Sequence, residues 1–317
     1  MPVRRAGRNG GLLRETLRVT AALDETGEWC YRVAMGKERY EERLDAALDP
    51  TAYQDVNVAL RHLLMSIRAI LGEHFLGMYL DGSLALGDFD PRSSDIDYLV
   101  VTNCALSDEA FSALREMHAR FNAGGSPWAT EVEALYVPRE ALRRADPAYA
   151  LLPHIQRGPA ETLVLDDLGG GWVLHLHVLR EHGVALVGPD PRSLIDPVHP
   201  DELRWASADL METWWGPMTD DVEPKFESHV GYRVYTAITM CRILYTLQFG
   251  TVVSKPVAAR WALEALDPAW KDVIRFALAW RKDDSAPRAG GAIETTELVR
   301  YTLARCRQWT QKALPRV

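Results

Sequence analysis

The sequence predicts a two-part fold: an α/β domain, with a mixed sheet flanked by helices, followed by an all-α helical bundle. Three observations support this prediction. The chain has 317 residues, enough for about two domains, each with its own core. In residues 51–150, apolar runs with strand character alternate with amphipathic helix patterns, whereas helical periodicity dominates residues 151–317. Residues 1–50 form an N-terminal extension, to which we assign no function.

Composition restricts the class of partner. Apolar residues make up 47% and charged residues 25% of the chain, as in ordinary globular proteins. A net charge of -8 argues against a broad basic surface for nucleic acid and suits a small cationic molecule. We therefore expect no nucleic-acid partner, and we also expect a monomer.

Cysteine and hydropathy patterns bear on location. The four cysteines are scattered and form no Cys-x-x-Cys pair: Cys30, Cys104, Cys241 and Cys306. Such spacing favours reduced thiols in a cytoplasmic protein. No apolar run approaches the roughly 18 residues of a membrane span, and the first residues contain no secretory apolar core.

The first helices follow from local signals. In the extension, residues 12–23 and 37–48 each fit a helix. In residues 56–71, apolar side chains recur at three- and four-residue spacing. This pattern predicts an amphipathic helix that Gly72 helps to end.

Three strands and a second helix are predicted next. Residues 78–81 form a short strand, and a second strand begins at Asp95 and continues through a very apolar run. Ser107 is a good helix start, and the apolar stripe that follows extends to Phe121. Residues 131–137 then alternate as a third strand, which Pro138 ends.

Residues 145–171 are crowded with proline and glycine, so we expect an irregular boundary between the two domains there. Residues 172–182 are helical by pattern. Their histidines, His175, His177 and His182, do not have the i,i+4 spacing that places two imidazoles side by side. We expect these histidines to be partly buried rather than metal ligands.

Chemistry is concentrated between the first two strands. Asp95 and Asp97 project together because strand side chains alternate, while Ile96 points the other way. Paired carboxylates at the mouth of a buried strand suit a hard divalent cation. The preceding turn adds Gly82, which lets the backbone approach a phosphate closely, and Ser83, which supplies a hydroxyl.

This stretch resembles a known signature. Gly82-Ser83, then eleven residues, then Asp95-Ile96-Asp97 is similar to the Gly-Ser and Asp-x-Asp motif of the DNA polymerase beta-like nucleotidyltransferase superfamily. The resemblance implies that the two aspartates bind Mg²⁺ and that the turn binds the phosphates of a nucleotide.

A third carboxylate comes from the third strand. Glu131 and Glu133 share one face, so either fits beside the aspartates. The setting of Glu133, VEALYVP, resembles the third-strand motif of bacterial antibiotic nucleotidyltransferases, in which a single glutamate is the base. This favours Glu133 as catalytic base and metal ligand; Glu131 is a solvated strand-start residue or a second contributor. Closeness to two other carboxylates predicts a raised pKa for Glu133 without metal.

The second half carries a narrower resemblance. Residues 180–191 (REHGVALVGPDP), 194–198 (LIDPV), 241–245 (CRILY) and 254–262 (SKPVAARWA) are similar to the helical C-terminal domain of streptomycin and spectinomycin adenylyltransferases. Together with the Gly-Ser and Asp-x-Asp signature, this resemblance implies that residues 51–150 are a nucleotidyltransferase domain. It also implies ATP and Mg²⁺ as cofactors and AMP transfer to a hydroxyl of an aminoglycoside or aminocyclitol antibiotic, with release of pyrophosphate.

Two cations of the second half are nucleotide-binding candidates. Ser254 fits an N-cap, which places Lys255 beside the free amides of a helix start. In the family that the chain resembles, the matching lysine holds the phosphates, and an arginine matching Arg242 lies near the nucleotide. The alternatives are a surface lysine and an internal salt bridge.

The sequence also departs from that family. Asp81 stands before Gly-Ser where the family has an aromatic residue, which adds negative charge near the metal. The acidic residue that binds the antibiotic is not at its expected place. Asp220, Asp221, Glu223 and Glu227 are candidates to bind a cationic acceptor; the alternative is a solvated acidic loop.

Two other functions remain open from the sequence. One is a nucleotidyltransferase that modifies another small-molecule or protein hydroxyl. The other is a non-catalytic nucleotide-binding relative, which the presence of all three carboxylates and the Gly-Ser turn disfavours.

Overall fold

The computed structural model describes residues 19–23, 29–33, 49–158, 162–218, 223–280 and 291–313. The chain divides into two compact units, Met1–Asp49 and Pro50–Val317. Of the helices described, none is both long enough and apolar enough to cross a membrane.

The first unit contains an antiparallel pair of strands, β1 (Val19–Leu23) and β2 (Trp29–Val33). The helix expected over residues 12–23 is therefore wrong for residues 19–23. There the backbone hydrogen bonds are made across to β2, because tertiary pairing overrides a weak local helix preference. The other predicted helix, residues 37–48, lies outside the described residues.

A six-stranded mixed sheet forms the base of the second unit. Its strands are β3 (Phe75–Leu80), β4 (Ile96–Thr102), β5 (Val132–Pro138), β6 (Leu151–Ile155), β7 (Val164–Asp167) and β8 (Val184–Val187). They are arranged in the order β7-β6-β5-β4-β3-β8. In this sheet, β4 and β5 are parallel and the other neighbours are antiparallel. A parallel pair needs a crossover, which a helix provides here.

The described helices of the second unit begin with one before the sheet and end with a bundle. They are α1 (Gln54–Leu71), α2 (Gly82–Leu86), α3 (Asp108–Ala123), α4 (Arg139–Leu142), α5 (Gly171–His182), α6 (Pro191–Leu194), α7 (Pro200–Leu210), α8 (Glu223–Ser228), α9 (Val230–Phe249), α10 (Lys255–Ala265), α11 (Lys271–Ala279) and α12 (Ala292–Ala313). A π-helical segment, Met211–Trp215, follows α7. Mixed sheet and helices followed by a helical region confirm the predicted fold class.

Helix α5 packs on the face of the sheet that carries the acidic residues. Leu99 of β4 and Leu135 of β5 are buried in one cluster with Trp172 of α5. Because strand residues alternate, Asp97 and Glu133 lie on this same face, two residues before the two leucines. Apolar packing of α5 therefore fixes the strands that present the carboxylates.

Helix α9 is central to the helical part. Its Met240 and Cys241 are fully buried together with Ala258 of α10, Ile274 of α11 and Leu298 of α12. This apolar core holds α9 and α10, which carry the two predicted nucleotide-binding cations.

The region predicted to be irregular, residues 145–171, contains strands β6 and β7. Pro153 lies within β6, opposite Leu165 of β7, and Gly158 lies beyond the end of β6. Proline and glycine shorten the strands here instead of excluding them. The expectation of irregular structure is wrong, and the sheet continues past the predicted domain boundary at residue 150.

A buried histidine links the stability of this fold to pH. His118 of α3 is 1% exposed, and its Nε2 lies 2.6 Å from the hydroxyl of Tyr136 on β5. Burial lowers the pKa of His118 to about 3, because the charged imidazolium would lose its hydration. The histidine is therefore neutral in the folded protein at ordinary pH.

We predict that acid destabilises the protein through His118. Between the ordinary pKa of 6.5 and about 3, the unfolded chain binds a proton that the folded chain does not, so the free energy of unfolding falls as pH falls. The loss from neutral pH to about pH 5 should be roughly 2 kcal/mol. Urea unfolding of His118→Gln at both pH values should show a smaller acid-induced loss than wild type; equal losses would contradict the assignment.

Candidate active site

Three carboxylates meet at the ends of the parallel strands. Asp95 and Asp97 lie at the start of β4, and Asp97 pairs directly with Glu133 of β5. One oxygen from each of the three residues lies within 4.8 Å of the others. Glu131, the alternative glutamate, lies before β5, where its Oε2 is 3.8 Å from Nε of Arg157. The structure therefore brings Glu133 rather than Glu131 into the cluster with both aspartates.

Gly82 and Ser83 form the Gly-Ser turn into the short helix α2, of which they are the first residues, and they lie directly against this cluster. Gly82 has a φ of 55°, and a Cβ added to it would lie 1.9 Å from Oδ2 of Asp97. The amide of Asp81 donates to the carbonyl oxygen of Asp97 at 3.0 Å, which fixes the turn to β4. Only glycine permits both this backbone conformation and this close approach. The hydroxyl of Ser83 is buried and has no hydrogen-bond partner among the described residues, so it is available to a ligand.

The pKa values of Asp97 and Glu133 are shifted in opposite directions. Burial, together with the charges of Asp95 and Glu133, raises the pKa of Asp97 well above its ordinary value. Burial also acts to raise the pKa of Glu133, but nearby His154, together with the charges of His175 and Lys255, acts against burial, and the pKa is lowered on balance. The raised pKa expected for Glu133 is therefore wrong. The carboxylate whose pKa is raised on balance, by burial and by like-charge repulsion, is Asp97.

His154 of β6 is the neighbour that sequence analysis missed. Its Nδ1 is 2.9 Å from Oδ2 of Asp166 on β7, and its Nε2 is 3.5 Å from Oε1 of Glu133. Despite burial, these two carboxylates raise the pKa of His154. The residue falls in the segment predicted to be irregular. A strand register there, with His154 opposite Leu135, would have placed it on the face of Glu133.

Cations from the helical part lie close to the acids. Lys255, the first residue of α10, is exposed; its ammonium is 5.7 Å from the ring centroid of Tyr235 on α9, and its charge lowers the pKa of both Asp97 and Glu133. Burial lowers the pKa of Arg242 on α9, against the attraction of Asp81 and Asp97. Its Nε donates to the carbonyl oxygen of Val253 at 3.2 Å. Both residues predicted to bind nucleotide therefore lie beside the cluster.

Comparisons with known proteins support the resemblance. Residues 195–305 match the family model of the aminoglycoside adenylyltransferase C-terminal domain. An aminoglycoside (3'')(9) adenylyltransferase of Shigella flexneri is 28% identical over 263 residues, which cover 78% of this chain and 93% of that protein. A spectinomycin 9-adenylyltransferase of Staphylococcus aureus is 25% identical over 214 residues, 64% of this chain and 76% of that protein. The spectinomycin adenyltransferase AAD(9) from Enterococcus faecialis, crystallised with ATP and spectinomycin, has the same fold, with a TM-score of 0.61, 15% identity, and coverage of 78% of this chain and 98% of that chain.

The chain is similar to the aminoglycoside adenylyltransferases over most of its length, and its residues 195–305 match the C-terminal domain of that family. The family resemblance and the enzyme class predicted from the sequence are confirmed. The roles of individual residues remain predictions, and they rest on the geometry described above.

Asp81 has a specific partner in this structure. Its Oδ2 is 2.9 Å from Nδ1 of His175 on α5, and Asp81 is only 5% exposed. Although burial opposes it, Asp81 raises the pKa of His175, with a further contribution from Glu133. The departure at residue 81 thus forms one pair with His175, which is partly buried as the sequence predicts. Neither residue predicts the other locally, because 94 residues separate them.

The predicted acceptor residues are only partly described. Asp220 and Asp221 lie outside the described residues. Glu223 begins α8, and Glu227 of the same helix is exposed. Their part in binding an acceptor stays a prediction.

The cluster fits a divalent cation. It offers three carboxylate oxygen donors within one coordination sphere, and hard cations such as Mg²⁺ prefer oxygen ligands. The raised pKa of Asp97 reflects burial and then repulsion by Asp95 and Glu133, and a bound cation would relieve the repulsion. Asp95, Asp97 and Glu133 are the residues that would hold it.

We predict that Gly82→Ala abolishes cation binding, with Gly87→Ala as matched control. Both glycines have positive φ, 55° and 75°, but a Cβ at Gly87 meets nothing within 4 Å. Each substitution should cost about 1 kcal/mol of stability through backbone strain, whereas only Gly82→Ala displaces the Asp97 carboxylate. Thermal unfolding should show a Mg²⁺-dependent rise in melting temperature for wild type and Gly87→Ala. A rise of the same size in Gly82→Ala would contradict the assignment.

Proposed function

We propose that this protein transfers AMP from ATP to a hydroxyl of an aminoglycoside or aminocyclitol antibiotic of the streptomycin or spectinomycin kind, and releases pyrophosphate. The observation that carries the proposal is the cluster of Asp95, Asp97 and Glu133 in contact with the Gly82-Ser83 turn. The printed activities of the relatives in Shigella flexneri and Staphylococcus aureus, and the ATP and spectinomycin of the related structure, support it.

Each part of the cluster would have a distinct task. Asp95, Asp97 and Glu133 would hold Mg²⁺, which when bound neutralises charge on the phosphates and on the oxygens of the displacement. The free hydroxyl of Ser83 and the amides of the turn would bind phosphate oxygens. Lys255 would add positive charge at the start of α10, with Arg242 close by on α9.

Glu133 would be the general base. Its carboxylate would accept the proton of the attacking hydroxyl of the acceptor. Its pKa, lowered by nearby His154, keeps it ionised at neutral pH and therefore able to accept a proton. Glu133 would thus combine proton removal with a share in holding the cation, whereas Asp95 and Asp97 would only hold the cation.

The acceptor is the part with the least structural support. A net charge of -8 and the acidic residues 220, 221, 223 and 227 favour a cationic antibiotic. A monomer acting in the cytoplasm, where ATP is available, is consistent with this proposal.

The decisive experiment incubates the purified protein with ATP, Mg²⁺ and a panel that includes streptomycin and spectinomycin. We expect a mass increase of one AMP on at least one compound and release of pyrophosphate, both absent without Mg²⁺. If ATP and Mg²⁺ together stabilise the protein but no antibiotic is modified, the acceptor is another hydroxyl compound. If neither nucleotide nor metal binds, the enzymatic proposal is wrong.

We predict that Glu133→Gln lowers kcat about 10²- to 10⁴-fold, since the amide cannot accept the proton. Glu131→Gln is the matched control: it removes a carboxylate two positions earlier that is not one of the three grouped carboxylates and that pairs with Arg157. Steady-state kinetics with a modified antibiotic should show nearly wild-type kcat for Glu131→Gln. The reverse pattern would assign the base to Glu131.

We predict that Asp97→Asn abolishes turnover without unfolding the protein. Asn has almost the same shape as Asp but carries no charge. The pKa of Asp97 is raised by burial and by the neighbouring carboxylates, so the metal-free variant should be at least as stable as wild type. Circular dichroism and thermal unfolding monitor the fold, and the adenylylation assay monitors activity. Turnover near the wild-type rate would exclude the metal role.

A further inference from the structure

A long-range hydrogen bond joins the loop after the Gly-Ser turn to the start of α10. The hydroxyl of Ser254 donates to Oδ2 of Asp88, across 166 positions of sequence. Ser254 is 5% exposed and is the N-cap residue of α10, yet its side chain makes no capping hydrogen bond to that helix. A serine at an N-cap normally accepts from the amides of the first turn. Here its side chain contacts the other half of the site.

The Asp88 end of this bond is tied to the predicted phosphate turn. The amide of Asp88 donates to the carbonyl oxygen of Ser83 at 3.1 Å, and the amide of Gly87 donates to the same oxygen. Position 88 is therefore fixed relative to Ser83 by the end of the short helix α2.

The Ser254 end is tied to the predicted phosphate-binding lysine. Lys255 follows Ser254 directly and begins α10, and the amide of Ala258 donates to the carbonyl oxygen of Ser254 at 3.1 Å. Just before Ser254, Val252 is buried in a cluster against which Leu86 packs. The hydrogen bond between Ser254 and Asp88 therefore joins two segments that also share an apolar cluster.

We propose that Asp88 and Ser254 are a positioning pair that sets the separation of Ser83 and Lys255, and thereby the affinity for the triphosphate of the nucleotide. This inference rests on the proposed function. Ser83 comes from the part of the unit with the sheet and Lys255 from the helical part, and a ligand that contacts both gains affinity when their spacing is fixed beforehand. Without the bond, part of the binding energy would be spent on bringing α10 into place.

The test measures nucleotide binding without turnover. Isothermal titration calorimetry with Mg²⁺ and α,β-methylene-ATP, whose bridging carbon blocks AMP transfer, reports triphosphate binding; AMP reports binding of the nucleoside end. We expect Ser254→Ala and Asp88→Ala each to weaken α,β-methylene-ATP binding about fivefold to tenfold while leaving AMP binding unchanged. The double variant should be no weaker than either single variant, because both remove one interaction.

Two control variants separate positioning from general structure. Ser254→Thr keeps the hydroxyl and should restore binding. Ser107→Ala removes the N-cap of α3, whose Oγ accepts from the amide of Ala110 at 3.2 Å; it should lower the melting temperature without changing either affinity. Equal α,β-methylene-ATP affinity in wild type and Ser254→Ala, or an equal loss for AMP, would overturn the positioning role. Failure of wild type to bind α,β-methylene-ATP would instead overturn the proposed function on which it rests.

Discussion

The parallel pairing of β4 and β5 is the constraint on which the site depends. Its register places Asp97 directly beside Glu133, and Asp95 lies one strand repeat earlier on the same face. A shift of one residue would turn either carboxylate to the opposite face. The register is held by the apolar remainder of the two strands, because Leu99 and Leu135 are buried against α5. The packing that stabilises the sheet therefore also forces like charges together.

That arrangement is unfavourable for the folded chain alone, and the surrounding cations show how it is balanced. His154 from β6 and Lys255 from α10 both act to lower the pKa of Glu133, whereas the pKa of Asp97 is raised on balance although Lys255 acts on it as well. Two carboxylates separated by one strand spacing thus have opposite shifts. Environments that push the pKa values of neighbouring acids apart are typical of sites that assign them different roles. The two pKa shifts differ because β6 lies next to β5 and brings His154 to within 3.5 Å of Glu133. Strand β4, which carries Asp97, is not a neighbour of β6.

The two aspartates could be predicted from the sequence because the signals for them are local, whereas Glu133 is favoured over Glu131 only by the resemblance of VEALYVP to a family motif. Alternation within strands placed Asp95 and Asp97 together, and the turn at Gly82 and Ser83 stood a short loop away. The residues that sequence analysis missed depend on pairing between distant segments. His154 lies in a stretch whose prolines and glycines suggested a loop, and without its register the sign of the pKa shift on Glu133 could not be obtained. The pair of Asp81 and His175 joins a strand end to a helix, and neither residue has a pattern that names the other.

Ser254 occupies the N-cap position of a helix, but its hydroxyl bonds to a residue outside that helix. The sequence favours it as an N-cap, and it does occupy that position at the start of α10. Its hydroxyl nevertheless bonds to Asp88, so the helix begins without the usual side-chain cap. Pro256 in the first turn offsets this loss, because its fixed φ suits a helix start and it needs no partner for an amide. The helix start is thus maintained by proline while the serine serves a contact between the two halves of the site. A capping residue in the sequence predicts where a helix begins. It does not predict the hydrogen-bond partner of the capping side chain, because that partner depends on which distant residues the fold places nearby.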